Sequence, residues 1–136
     1  MTALWDTSNL DRMERLLAAH QNVWNEMPDP IIVTTADPHD PIIVMVNSAL
    51  LTLTGYSIEE VLGRSPRMFQ GPDTDRATLD EVRTSLTKGE AIQVTVTNYR
   101  KDCTPFRNTF SITPVRDPDK RVTHFVSVQR FEGMDG

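Results

Sequence analysis

The sequence has 136 residues, of which 38% are hydrophobic and 24% charged, a composition typical of a globular chain that forms one domain. Its net charge of −5 excludes the basic surface that nucleic-acid-binding and anionic-membrane-binding proteins use, so neither partner is expected. The longest apolar runs, such as residues 41–46, are too short to cross a bilayer. The first residues do not have the basic-then-apolar order of a signal peptide, and we therefore expect a cytoplasmic protein.

Neither a metal site nor an enzyme active site is expected from the residue types present. The single cysteine, Cys103, cannot form an internal disulfide, and the three histidines are far apart in the sequence. No base, nucleophile and orienting group occur together in a recognisable pattern. We therefore expect a binding module and not a catalyst.

Residues 1–27 are predicted to be a helical extension in front of the domain. Ser8 can cap a helix over residues 8–27, and His20 occupies the one gap in its apolar seam. The seam repeats at three- and four-residue steps and consists of Leu10, Met13, Leu17, Trp24 and Met27. Such a narrow stripe can cover the domain's own sheet or pair with a second copy of the chain, and both interpretations are open.

The rest of the chain is predicted to alternate short strands with short helices. Two strands, a group of helices and three further strands favour an α+β domain with one antiparallel sheet, over residues 28–131, followed by a tail at 132–136. The five predicted strands are 31–35, 42–47, 91–100, 105–117 and 122–131. The predicted helices are 48–56, 57–63 and 74–89. Helices on one side of a sheet enclose a pocket suited to a small ligand.

Local signals fix several helix ends. Gly55 is predicted to end the first of these helices, while Ser57 and Glu60 form the spacing of a capping box at the start of the next. Ser65 followed by Pro66 is typical of a helix start, because serine caps the helix and proline suits the first helical position.

Three segments resemble the light-oxygen-voltage (LOV) branch of the PAS superfamily. They read NSALLTLTGYSIEEVLGRSPRMFQGPDTDRATLDEVR from residue 47, NYRKDCTPFRN from residue 98 and FVSVQ from residue 125. Their order and spacing agree with the family from about residue 28 to residue 131. The resemblance implies a five-stranded antiparallel sheet with short helices on one face, and FMN as the cofactor.

The resemblance also implies a set of flavin-binding residues. Arg67 and Arg83 match the phosphate-binding arginines, whose guanidinium groups suit bidentate pairing with phosphate oxygens. Ser65 is in position to contact the ribityl chain. The implied amide contacts are Gln70 to the ribityl chain, Asn98 and Asn108 to the pyrimidine edge, and Gln129 to the O4/N5 region. The residues expected to line the pocket are Ile32, Thr34, Leu62, Phe69, Phe110, Ile112 and Phe125.

Pro66 occupies the position at which the family has the cysteine that forms a covalent bond to the flavin in blue light. Cys103 falls in a turn where the family usually has glycine, so it is not expected to replace that thiol. The resemblance therefore implies a flavin-binding sensory module that cannot form the thiol adduct. Light could still act by photoreducing the flavin, which would reverse the hydrogen-bond requirement at Gln129.

Other functions are compatible with the same residues. One is a flavin-free PAS module that binds another ligand or mediates association, and another is a redox sensor without a light response. A homodimer through the N-terminal helix and a separate signalling partner are both expected routes for output.

Overall fold

A five-stranded antiparallel sheet forms the centre of the computed structural model, which describes residues 12–132. Its strands are Ile31–Thr35 (β1), Ile43–Val46 (β2), Ile92–Tyr99 (β3), Pro105–Arg116 (β4) and Val122–Glu132 (β5). They lie in the order β2-β1-β5-β4-β3, and every neighbouring pair is antiparallel. The predicted α+β class and single antiparallel sheet are confirmed, with strand ends that differ from prediction by one residue or none.

The two faces of the sheet have different partners because side chains alternate along each strand. On β5, Phe125, Ser127 and Gln129 face the helices that follow β2, where the pocket described below is found. Val126 and Val128, between them, face the opposite side and pack with the N-terminal helices. The sheet therefore separates a ligand-sized space from a second apolar layer.

Short helices cover the first of these faces. They are Ser48–Thr54 (α3), Ile58–Val61 (α4), a 3-10 helix at Pro66–Phe69, and Arg76–Thr87 (α5). Gly55 ends α3 at φ 81°, a left-handed conformation that favours glycine. Ser57 and Glu60 form the capping box at the start of α4, as predicted.

The N-terminal segment forms two helices, Arg12–Ala19 (α1) and Gln21–Glu26 (α2), where one helix over residues 8–27 is predicted. That prediction is wrong at His20, whose φ of −117° and ψ of 28° interrupt the helix. Leu17 is only 2% exposed and packs with Ile31 and Val33, so this part of the seam covers the chain's own sheet. The predicted cap, Ser8, and the seam residue Leu10 lie outside the described residues.

Glu14 connects α1 to β5 across this second layer. Its Oε2 lies 2.8 Å from Nε2 of His124, whose side chain is buried. The contact joins the first described helix to the strand that carries Gln129.

Asn47, at the start of α3, forms hydrogen bonds to four segments of the chain. The side chain is fully buried, and its Oδ1 accepts from the backbone N–H of Ile31 at 2.9 Å and of Leu50 at 3.2 Å. Its Nδ2 donates to the backbone oxygens of Trp24 at 3.1 Å and Asp29 at 2.9 Å. One amide thus satisfies main-chain groups from α2, the linker after it, β1 and α3.

Across residues 12–132, no helix combines the length and the apolar character needed to cross a membrane.

Candidate functional site

A pocket lies between the inner face of the sheet, the 3-10 helix and α5. Its space amounts to about 900 Å³ including the open mouth. Apolar side chains form most of its wall: Ile32, Phe69, Leu79, Val82, Leu86, Val96, Phe110, Ile112 and Phe125. The polar and charged side chains come mainly from residues 65–70 and α5 on one side and from β1, β3 and β5 on the other. An apolar cleft with a few convergent polar groups is the usual form of a small-molecule site.

The 3-10 helix places Ser65 and Pro66 on the pocket wall. Ser65 is its N-cap, and its hydroxyl oxygen accepts from the backbone N–H of Arg67 at 3.2 Å, which confirms the predicted cap. Pro66 occupies the first helical position, where a backbone N–H has no intrahelical acceptor. The proline therefore suits the local fold, while its ring contributes no reactive group to the pocket.

Two guanidinium groups lie at the polar end of the pocket. Arg67 and Arg83 both line it, on the 3-10 helix and α5 respectively. Arg67 donates to the backbone oxygen of His39, and Nη1 of Arg83 lies 2.7 Å from a carboxylate oxygen of Asp80. Gln70 also lines the pocket, with its Oε1 accepting from Arg76 at 2.9 Å. This region can bind an anion, in competition with Asp80.

Three buried amides form a continuous hydrogen-bond chain across β3, β4 and β5. Nδ2 of Asn108 donates to Oδ1 of Asn98 at 3.0 Å and to Oε1 of Gln129 at 2.8 Å. Asn98 and Gln129 line the pocket, and Asn108, 3% exposed, lies between them on the same face of the sheet. This hydrogen-bond chain brings together three of the residues that are predicted to contact the ligand.

The Oδ1 atom of Asn108 is buried and has no hydrogen-bond partner among the described residues. A buried acceptor of this kind is destabilising unless a donor reaches it. The pyrimidine edge of a flavin carries one N–H donor between two carbonyl acceptors, and that donor suits the Oδ1 acceptor of Asn108. The residues present therefore fit the flavin that the sequence implies.

Most of the predicted lining residues reach the pocket. Ile32, Thr34, Ser65, Arg67, Phe69, Gln70, Arg83, Asn98, Phe110, Ile112, Phe125 and Gln129 all line it. Leu62 does not: it is the C-cap residue of α4 and is 42% exposed, so its predicted place on the wall is wrong.

The loop at residues 71–75 follows the 3-10 helix but does not line the pocket. Oγ1 of Thr74 donates to the backbone oxygen of Thr97 at 2.6 Å, and the Tyr99 hydroxyl accepts from the backbone N–H of Asp73 at 2.9 Å. A Cβ on Gly71 would lie 2.3 Å from the Tyr99 ring, so the loop packs closely on β3. This segment positions the 3-10 helix and α5 against the sheet.

Sequence reasoning did not single out several residues of the wall. Leu79, Val82 and Leu86 are predictable as the apolar face of α5, but their periodicity does not reveal that this face borders a pocket. Ser127 also lines the pocket, and its Oγ accepts from Nε2 of Gln129 at 2.7 Å. Its position two residues before Gln129, on the same face of β5, is the signal that could have found it.

The chain's only thiol lies outside this pocket. Cys103 is exposed in the turn between β3 and β4, with a left-handed φ of 71°. That conformation favours glycine, the residue that the resemblance implies at this turn.

Comparisons with known proteins agree with this geometry. The PAS domain family matches residues 28–130. Phototropin-2 of Oryza sativa subsp. japonica is 34% identical over 119 residues, which cover 88% of this chain and 13% of that protein. The blue-light-activated histidine kinase of Brucella anthropi is 33% identical over 102 residues, or 75% of this chain and 21% of the kinase. The chain thus spans a small part of the curated relatives it matches.

Solved structures give the same result. A structure from a flavin-analogue study of the light-oxygen-voltage domain mechanism is 36% identical, with a TM-score of 0.75 over 89% of this chain and 87% of that one. The LOV domain of a blue-light-activated histidine kinase from Erythrobacter litoralis is 29% identical, with a TM-score of 0.74 over 80% of this chain and 100% of that one. The chain therefore belongs to the PAS family and is a light-oxygen-voltage domain within it.

Proposed function

We propose that this domain is a cytoplasmic sensory module that binds FMN and responds to light or redox state without forming a thiol adduct. The supporting geometry is an apolar pocket lined by two guanidinium groups, with a buried amide chain on β3, β4 and β5. FMN supplies blue-light absorption and reversible electron acceptance when it is bound. No residue of the chain is assigned a catalytic role.

Different polar residues would bind different parts of FMN. Arg67 and Arg83 would hold the phosphate, while Gln70 and the Ser65 hydroxyl would bind the ribityl chain. Asn98 and Asn108 would bind the pyrimidine edge, and Gln129 would bind the adjoining edge of the ring. Thr34 and Phe110 would complete the wall around the ring system.

The proposal that no thiol adduct forms is based on one observation. Pro66 lines the pocket where the family has its reactive cysteine, and Cys103, the only cysteine in the sequence, is exposed in a turn outside the pocket. Covalent capture of a flavin needs a thiol in contact with it. Any response to light must therefore proceed through electron transfer and a change in hydrogen bonding.

The output would pass along β5 to the N-terminal helices. Gln129 can offer either an N–H or a carbonyl oxygen to the ligand, so its amide would respond to a change in protonation there. The same strand carries His124, which contacts Glu14 of α1 on the opposite face of the sheet. A shift of β5 could thus alter the packing of α1, as a two-state signalling element requires.

The test is the absorption spectrum of the freshly purified protein in the dark and under blue light. We expect bound flavin, no adduct, and bleaching only with an added electron donor, reversed by oxygen. The Pro66→Cys variant should show reversible bleaching without a donor, because it restores the thiol at a position where the extra N–H is tolerated. Absence of flavin even after reconstitution would favour the flavin-free alternative, and a change triggered by chemical reduction but not by illumination would favour a redox sensor.

We also propose a homodimer that uses the outer side of the N-terminal segment. Val23 is 59% exposed and Met27 39% exposed, whereas Leu17 and Trp24 pack toward the chain's own sheet. Val23→Asp should convert a dimer to a monomer in light scattering, and Asn22→Asp, on the neighbouring position of α2, is the matched control. A monomeric unmodified protein would contradict this proposal.

A further inference from the structure

A backbone oxygen determines how the amide groups of the hydrogen-bond chain are oriented. Nδ2 of Asn98 donates to the main-chain oxygen of Phe69 at 3.2 Å, in the 3-10 helix. A main-chain oxygen can only accept, so the NH₂ group of Asn98 must face it, and the Oδ1 of Asn98 must face Asn108. Asn108 then has to present its NH₂ group to Asn98.

The same constraint extends to β5. The second hydrogen of the Asn108 NH₂ group goes to Oε1 of Gln129 at 2.8 Å, which leaves the Gln129 NH₂ group facing away from Asn108. That group donates to Oγ of Ser127 at 2.7 Å. Each donor and acceptor in the series is therefore determined by the one before it, from Phe69 to Ser127.

Ser127 differs from the amides because a single oxygen atom both accepts and donates, whereas an amide divides these functions between its O and N atoms. While its oxygen accepts from Gln129, its own proton remains for another acceptor, and the residue lines the pocket. If the Gln129 amide turns over, its NH₂ group faces that of Asn108 and their hydrogen bond is lost, whereas the Ser127 hydroxyl can donate to Oε1 and keep its contact. The hydroxyl thus accommodates both orientations of the amide.

We propose that Ser127 is the positioning residue for Gln129 and a second hydrogen-bond donor to the ligand beside it. In the observed orientation Ser127 donates its proton to an acceptor on the ligand, and in the reversed orientation it donates to Gln129. The contact to the ligand rests on the proposed binding of FMN, whose ring carries carbonyl and imine acceptors along that edge. The positioning of Gln129 by Ser127 does not depend on any ligand.

The experiment compares Ser127→Ala with Ser111→Ala. Ser111 lies on β4 between Phe110 and Ile112, both of which line the pocket, so its side chain is on the opposite face of the sheet. The control therefore removes a serine hydroxyl from the same sheet, but on the face that does not border the pocket. Ser127→Gly serves as a second variant, and the melting temperature of each protein verifies that it is folded.

The first readout uses protein without flavin. In Ser127→Ala and Ser127→Gly, the side-chain NH₂ resonances of Gln129 should move and their hydrogen exchange should accelerate several-fold, because one donor loses its acceptor. In Ser111→Ala both should stay unchanged. Identical Gln129 resonances and exchange in all four proteins would overturn the positioning role.

The second readout is binding of FMN. Loss of one hydrogen bond to the ligand should weaken binding by about threefold to tenfold in Ser127→Ala and raise the carbonyl stretching frequency of the bound flavin. Unchanged affinity and frequency would overturn the ligand contact alone. Failure of the unmodified protein to bind FMN would overturn the proposed function together with that contact, while the flavin-free readout would still decide the role of Ser127 toward Gln129.

Discussion

Glu60 of α4 and Lys101 of the β3–β4 turn form an ion pair. Nζ of Lys101 lies 2.8 Å from Oε2 and 3.0 Å from Oε1 of Glu60. The hydrogen bond from Lys101, followed by that from the backbone N–H of Ser57, lowers the pKa of Glu60 from 4.5 to about 2. The same carboxylate thus completes a capping box and holds a sheet turn against a helix.

This pair predicts a defined pH dependence of stability. A carboxyl group with a lowered pKa in the folded state stabilises the fold while it is ionised. The contribution of Glu60 should be complete above pH 4.5 and disappear as the pH falls toward 2. Thermal unfolding should therefore show Glu60→Gln less stable than the unmodified protein near neutral pH, with the difference shrinking in that window. Glu59→Gln, which removes a charge from the same turn, is the control, and a pH-independent difference would contradict the prediction.

Cys103 is expected to be a source of strain in the β3–β4 turn. Its φ of 71° disfavours a residue with a Cβ atom. Cys103→Gly should raise the free energy of unfolding by roughly 0.5–1 kcal/mol after the greater entropy of glycine in the unfolded chain is included. Cys103→Ala, which removes the thiol but retains Cβ, is the matched control in urea unfolding. Equal midpoints for the two variants would show that the backbone conformation is not the cause.

Asp80 should compete with the ligand for Arg83. The two side chains lie 2.7 Å apart, and that of Asp80 is 72% exposed. Asp80→Asn should strengthen FMN binding by about twofold to fivefold, because the guanidinium no longer has a carboxylate partner. Riboflavin, which has no phosphate, should bind equally to both proteins in the same titration. Glu81→Gln on the same helix is the charge control, and equal strengthening of riboflavin binding would argue against a phosphate contact at Arg83.

Asn47 should be among the most sensitive positions for stability. Its amide makes four hydrogen bonds to main-chain groups while fully buried. Asn47→Ala should lower the free energy of unfolding by about 2–4 kcal/mol, because several buried groups lose their partners. Denaturant unfolding compares it with Asn25→Ala, whose exposed Oδ1 accepts from Gln21 and from the backbone N–H of Ser48. A loss no greater than that of Asn25→Ala would refute this role.

The sequence predicts the elements well wherever a local signal determines them. The capping box of Ser57 and Glu60, the left-handed Gly55 and the Ser65 cap all depend on residues within one turn of the chain, and all three are confirmed. The interruption at His20 is not predictable from the seam, because its three- and four-residue steps keep the same register on both sides of that gap. Periodicity records which side of a helix is apolar, and it does not detect a change of axis.

The sequence predicts most of the residues of the candidate site, but only part of how they are arranged. The register of the strands brings Asn98, Asn108 and Gln129 together, and the resemblance to a known family implies all three. Their mutual hydrogen bonds and the contribution of Ser127 depend on side-chain directions across three strands, which no linear pattern encodes. Leu62 was misplaced for a related reason, since its apolar character does not show that it ends a helix on the exposed side.

Anchoring the amide chain on a main-chain oxygen limits how the site can diverge. A substitution at position 69 would change the ring that packs edge-on against Tyr56, with centroids 5.9 Å apart, but it would leave that acceptor in place. Substitutions in the 3-10 helix can therefore remove a reactive group, such as a thiol at position 66, without reversing the donors and acceptors offered to a ligand. New ligand preferences should arise at the far end, on β5, where one side-chain exchange changes the last donor. Directed-evolution libraries aimed at other ligands would accordingly be richest in useful variants at positions 127 and 129.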